Sequence, residues 1–257
     1  MLAFLIIGMS FTHRTADTFE YRAVPNQAFT FGEELSYRVH YGWINAARIT
    51  MKVSDKPQVI DGRETFHIVA KGRTNKSFDW AYKVRDHYES NVDIASIAPL
   101  KYFKSVKENK YTDVDLVYYN HANGTLRGKK KNMSVPAYVQ DIVSGTYYAR
   151  TIDYSKSKVG QTYPLNIYLD QEVYNLKFKY LGMETIKTDV GKVKCYKVRP
   201  QLVVDRVFKD EDDMTIWISA DANRIPVRVQ TDIWVGSLKV DLKGYKNLAN
   251  PFTAKIK

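Results

Sequence analysis

Alternation with a period of two recurs along most of this chain, and it limits the fold more than any other feature. In "ELSYRVHYGW", Leu35, Tyr37, Val39 and Tyr41 fall on one face while Ser36, Arg38 and His40 fall on the other. "AARITMKV" repeats the pattern with Ala47, Ile49, Met51 and Val53. Successive side chains of a strand point to opposite sides of a sheet, so such runs set one face on a core and the other in water. Turn residues separate the runs: Asp61-Gly62 before "ETFHIVAKG", Asn123-Gly124 after "DVDLVYYN", and Asp189 and Gly191 between "METIKT" and "KVKCYKV". These residues tolerate positive φ and join neighbouring antiparallel strands.

Two stretches depart from the alternation. Val139, Ile142, Val143, Thr146, Tyr147 and Arg150 are spaced at three and four, which predicts a helix near 137–150, weakened by Gly145. "KSFDWAYKVRDHYESNVD" predicts a short helix near Phe78 to Tyr82 and then a strand. The expected fold is therefore mainly β with one or two helices, a curved antiparallel sheet or open barrel packed against a helix. No linker rich in Pro, Gly or Ser divides the chain, so residues 20–257 read as one β-rich domain with the helix inserted. Residues 1–19 hold an apolar run from Leu2 to Met9, too short for a membrane span of about 20 residues. They read as an incomplete signal segment without its positive leader, and the chain is expected to be exported, in the periplasm or at the envelope.

Over 257 residues, 44% hydrophobic and 13% aromatic content is enough to build a core, which excludes a disordered chain. The net charge of +11 is spread along strand-like runs, as in Lys177 and Lys179 between Leu176, Phe178 and Tyr180. Lysines so placed form a solvated sheet face that resists edge pairing. No nucleic-acid-binding motif accompanies the charge, so nucleic acid is not an expected partner. The single cysteine, Cys195 in "KVKCYKV", is expected to pack and not to react.

Catalytic and metal-binding patterns are sparse. The histidines lack ligand spacing, and the acidic run "KDEDD" lacks the glycine and terminal glutamate of a calcium loop, so neither a metal nor a cofactor is expected. His40 and His67 occupy strand positions that could meet across a sheet. Asp86 and His87 in "RDHYESNVD" offer an acid–base pair for an envelope hydrolase, although adjacent strand residues face opposite ways. The aromatics Tyr37, Tyr41, Trp43, Trp80, Tyr82 and Tyr147 are the stronger candidates, as the lining of a groove for a lipid-like or glycan ligand. The competing reading is that they fill the core. "TIWISADANRIPVRVQ" reads as a hairpin connection in which Asp221 bonds the backbone, Asn223 takes a left-handed conformation and Pro226 opens the second strand.

Taken in order, "FGEELSYRVHYGWINAARITMKV", "VRDHYESNVDIASIAPLKYF", "QDIVSGTYYAR", "GMETIKTDVGKVKCYKVRP" and "WISADANRIPVRVQTDIWVGSLKVDL" resemble a family of bacterial exported proteins, domain of unknown function 3108, from about Phe31 to Leu242. "WISADANRIPVRV" is also similar, locally, to periplasmic lipoprotein carriers. The resemblance implies a β-rich exported envelope protein with no established activity; the aromatic face adds the expectation that it binds a hydrophobic or glycan ligand or a partner protein without catalysis. A structural or assembly role through an exposed strand edge is the alternative it leaves open.

Overall fold

The computed structural model describes residues 19–202, 214–232 and 236–256. The apolar run near the N-terminus, the acidic run Asp210–Asp213 and Trp234 lie outside the described residues. Sequence alternation becomes strand throughout. The first half contains β1 (Glu34–Tyr41), β2 (Ile44–Val53), β3 (Gln58–Ile60), β4 (Arg63–Thr74), β5 (Arg85–Asp93), β6 (Pro99–Glu108), β7 (Tyr111–Asn120), β8 (Thr125–Gly128) and β9 (Asn132–Ser134). After the helix α1 (Ile142–Ala149) follow β10 (Thr162–Leu169), β11 (Glu172–Thr188), β12 (Gly191–Leu202), β13 (Met214–Ser219), β14 (Pro226–Asp232), β15 (Ser237–Lys246) and β16 (Lys255–Ile256).

All of these strands join one antiparallel sheet in the order β10-β11-β12-β13-β14-β15-β1-β2-β4-β5-β6-β7-β8-β9, with β3 added to β4 and β16 to β12. The β1–β15 pairing, Leu35 opposite Tyr245 and Val39 opposite Val240, joins the N-terminal strands to the C-terminal ones. The ladder does not close into a barrel, because β10 and β9 remain its two ends. Side chains nevertheless draw the β10 end over the β6–β7 region. Tyr168 of β10 donates to Asp115 Oδ2 at 3.2 Å. Lys104 of β6 pairs with Asp170 at 2.5 Å and with Asp113 at 2.7 Å. Burial opposes the charge on Lys104, but the two carboxylates outweigh it and raise its pKa.

The helix sits inside this curve, packed on β4, β5 and β10. It is shorter than the predicted 137–150, and the difference has a backbone cause. Residues before it are extended: Gln140 N donates to Asn166 O at 2.9 Å, and Tyr168 N donates to Gln140 O at 2.7 Å. Backbone groups that a first helical turn would use are committed to β10 instead. The helix then starts at a capping box, in which Asp141 Oδ1 accepts from Val143 N and Ser144 N, each at 2.8 Å, and Ser144 Oγ accepts from Asp141 N at 2.9 Å. Gly145 lets the helix approach β10 closely, since a Cβ there would lie 3.3 Å from Ile167 Cδ1. The helix expected near Phe78–Tyr82 is a single 3-10 turn at Lys76–Phe78.

One buried ion pair ties these parts together. Arg150, the C-cap of α1, is 1% exposed and meets the fully buried Glu33 through two hydrogen bonds of 2.6 and 2.8 Å. Its other donors reach Ala28 O at 2.8 Å and Asn223 O at 3.0 Å. Asn223 belongs to the β13–β14 connection, where Asp221 Oδ1 accepts from Ser219 Oγ, Asn223 N and Arg224 N. The sequence reading of this stretch as a turn opening into a strand at Pro226 matches β14. The left-handed residue, however, is Arg224 (φ 45°), because Asn223 turns its amide inward to Asn250 O and Pro251 O.

Removing one member of a desolvated, fully bonded pair strands the other charge, so Arg150→Met should cost about 3–5 kcal/mol in urea unfolding. Arg150→Met combined with Glu33→Leu should recover part of that loss.

Candidate functional site

The concave face of β10–β14, walled on one side by α1, forms an apolar cleft of about 380 Å³. Its lining alternates along the strands: Ile167 and Leu169 from β10, Leu176 and Phe178 from β11, Val198 from β12, Ile216 and Ile218 from β13, and Val229 from β14. From α1 come Ile142, Gly145, Thr146 and Ala149, spaced so that they share one helix face. Ile142 is 44% exposed, and Leu176, Ile216 and Val229 are half-buried, so apolar surface remains uncovered here. Arg150 borders the cleft, with its guanidinium committed to Glu33. Two larger depressions, about 1030 and 710 Å³, include many polar and charged side chains, such as Asp61, Arg63 and Arg127 in the first and Glu34, Lys52 and Lys71 in the second.

The six aromatics singled out in the sequence separate into two groups, and none lines this cleft. Tyr37 and Tyr147 are core residues, 5% and 0% exposed, and Tyr147 packs edge-on against Phe29 with ring centroids 4.8 Å apart. Tyr41, Trp43, Trp80 and Tyr82 lie at one end of the sheet and are exposed, Trp43 by 89% and Trp80 by 86%.

Asp86 and His87 do not form an acid–base pair. Asp86 accepts from Lys107 N at 3.2 Å, while His87 Nε2 lies 2.6 Å from Glu89 Oε1. Strand alternation puts His87 and Glu89 on one face and Asp86 on the other. His67 Nε2 joins the second Glu89 oxygen at 2.7 Å, so one carboxylate bridges two imidazoles. Partial burial raises the Glu89 pKa, but the two imidazoles outweigh it and hold the group below its ordinary value. His40 does not meet His67; it contacts Asp241 at 3.1 Å and Gly42 O at 2.8 Å. Cys195 is buried, and burial pushes its thiol up to about 12, which fits an inert packing residue. Among the described residues, no group of three or more His, Cys, Asp or Glu side chains is arranged to hold a metal ion. Nor is any helix among them long and apolar enough to cross a membrane.

With the geometry in place, comparison with known proteins gives the family. Residues 36–243 match the family model described as protein of unknown function (DUF3108). The chain belongs to the DUF3108 family. No curated protein shows significant sequence similarity to this DUF3108 chain. Among solved structures it is similar to a β-barrel-like protein of domain of unknown function DUF1849 from Brucella abortus, at 10% identity and a TM-score of 0.54. That match covers 85% of this chain and 98% of the other, and it supports a barrel-like fold. A protein assigned as a lipoprotein from Parabacteroides distasonis aligns at 13% identity and a TM-score of 0.37, covering 89% and 100% of the two chains. A protein with a YmcC-like fold from Bacteroides fragilis, assigned as exported, aligns at 10% identity and a TM-score of 0.36, covering 88% and 100%.

The helix wall of the cleft carries its own pH dependence. Asp141 is fully buried, and burial pushes its pKa up to about 6 despite hydrogen bonds from Ser90 and the helix backbone. A folded-state pKa above the unfolded one stabilises the protein at low pH, and the contribution is lost as pH rises through about 6. Asp141→Asn keeps a capping side chain and removes that titration. Between pH 4 and pH 7 the DUF3108 wild type should therefore lose stability relative to Asp141→Asn, by about 2 kcal/mol, in urea unfolding at each pH.

Proposed function

We propose that this DUF3108 chain is an exported envelope protein that binds a lipid-like apolar ligand, without catalysing a reaction, in the cleft between α1 and β10–β14. The observation that carries this reading is the cleft's composition: about 380 Å³ bounded almost wholly by aliphatic and aromatic side chains, with buried Phe178, Val198 and Ile218 at its base and half-buried Leu169, Leu176, Ile216 and Val229 still partly open. Its volume falls within the range of small-molecule sites. Apolar surface kept open to water costs stability, and its retention in a concave, preformed site supports binding. A glycan suits this cleft poorly, because a polyhydroxylated ligand would lose its water partners against walls that offer almost no donors or acceptors. Export is supported by the apolar N-terminal run and by the order of motifs described above.

Titration with a fluorescent fatty-acid analogue tests the reading. The wild type should bind with enhanced emission. Leu176→Lys and Ile216→Lys should each weaken binding by roughly tenfold or more, since each places a charge against the apolar chain. Both positions are half-buried, so circular dichroism should confirm retained strand content. Affinity unchanged by both substitutions would refute the cleft as the site.

A further inference from the structure

The exposed aromatics gather at one end of the sheet. Of thirteen large hydrophobic residues exposed among those described, six (Tyr41, Trp43, Trp80, Tyr82, Tyr111 and Leu238) lie at the hairpin ends where β1 meets β2, β4 leads to β5, β6 meets β7 and β15 begins. Local structure forces this display. Gly42 takes the positive φ (53°) of the two-residue β1–β2 turn, which leaves Trp43 at the hairpin tip. Leu238 sits directly opposite Tyr41 in the β1–β15 ladder.

These ends are bonded to one another. Asn75 N donates to Ala46 O at 2.9 Å, and Asn75 Nδ2 donates to Asn45 O at 2.8 Å, fastening the β4–β5 connection to the β1–β2 hairpin. Asn109 N donates to Lys83 O and Lys83 N to Asn109 Oδ1, each at 2.8 Å, fastening the same connection to the β6–β7 turn. Trp43 and Trp80 are therefore presented by a continuous, tied-down rim.

The charge at this rim is basic. Lys76, Lys83 and Lys110 are exposed, and none forms an ion pair among the described residues. Of the nearby carboxylates, Asp79 is paired by Arg85 at 2.5 Å, while Glu108, which accepts from the Tyr82 hydroxyl at 3.0 Å, and Asp86 keep their charge and are outnumbered by the lysines. Indole and phenol rings settle at the boundary between head groups and hydrocarbon, and ammonium groups beside them are attracted to anionic head groups. We propose that this rim docks the protein on an anionic lipid bilayer, with Trp43 and Trp80 entering the interface and the lysines meeting the head groups. The strand ends that carry Leu169, Tyr174 and Met214, which border the cleft, belong to the same end of the sheet. Docking through the rim would bring that side of the cleft toward the bilayer.

Co-sedimentation of the full chain with vesicles tests the proposal, comparing phosphatidylcholine alone with phosphatidylcholine containing phosphatidylglycerol. The chain should sediment with the anionic vesicles and be released by salt. The double variant Trp43→Ala/Trp80→Ala should bind roughly tenfold or more weakly, and Lys76→Glu/Lys83→Glu should lose the anionic preference. These side chains are exposed, so the fold should survive, as thermal unfolding can verify. Absence of sedimentation, equal sedimentation with neutral vesicles, or binding untouched by the tryptophan pair would each overturn it. Leu176→Lys should keep vesicle binding while losing the fatty-acid probe, so failure of either reading shows separately.

Discussion

The guanidinium of Arg150 fixes the relation between four separate parts of the chain. It ends α1, meets Glu33 just before β1, reaches Ala28 in the segment preceding it, and bonds Asn223 in the β13–β14 connection. A helix of eight residues cannot hold itself in water, because its few internal bonds do not offset the cost of nucleation. Its position rests on the core packing of Val143 and Tyr147 and on its ends, Asp141 with Ser90 at one and Arg150 with Glu33 at the other. The ion pair is stable in the interior because Arg150 has donors for every nearby acceptor, so its burial leaves little unsatisfied. Since α1 forms one wall of the apolar cleft, the cleft's width depends on this pair.

The sheet around the helix is arranged as an almost-closed surface with an uneven interior. Toward β1, β4 and β5 the concave side is filled, with Tyr147 and Val143 packed against Phe29, Phe66 and Ile68. Toward β10–β14 the inward residues Leu176, Ile216 and Val229 keep part of their apolar area open. Backbone pairing of Gln140 with β10 stops α1 from starting earlier.

Much of this architecture could be read from the sequence. Period-two alternation identified β1, β2, β4 and β11–β14, and three-and-four spacing located the helix, although its first turn proved to be extended. The inward-facing set Leu176, Phe178, Ile216 and Val229 was also visible as alternation. What alternation cannot say is whether an apolar face meets a partner, because that depends on where a distant helix ends. The aromatics show the same limit. Tyr37 and Trp43 both sit in or beside β1, yet one is core and the other a hairpin tip, separated only by the turn at Gly42. The importance of Arg150 and Asn223 was hidden for a related reason: their partners Glu33 and Asn250 lie far away in the chain.

The central claim is that the open cleft beside α1 holds an apolar molecule in the native protein. Organic extraction of protein purified under native conditions, followed by mass spectrometry of the extract, addresses it most directly. An apolar molecule at near one-to-one stoichiometry in the wild type, absent from a Leu176→Lys/Ile216→Lys variant of the same fold, is the predicted result. The same molecule recovered equally from both proteins, or none from the wild type, would contradict the account.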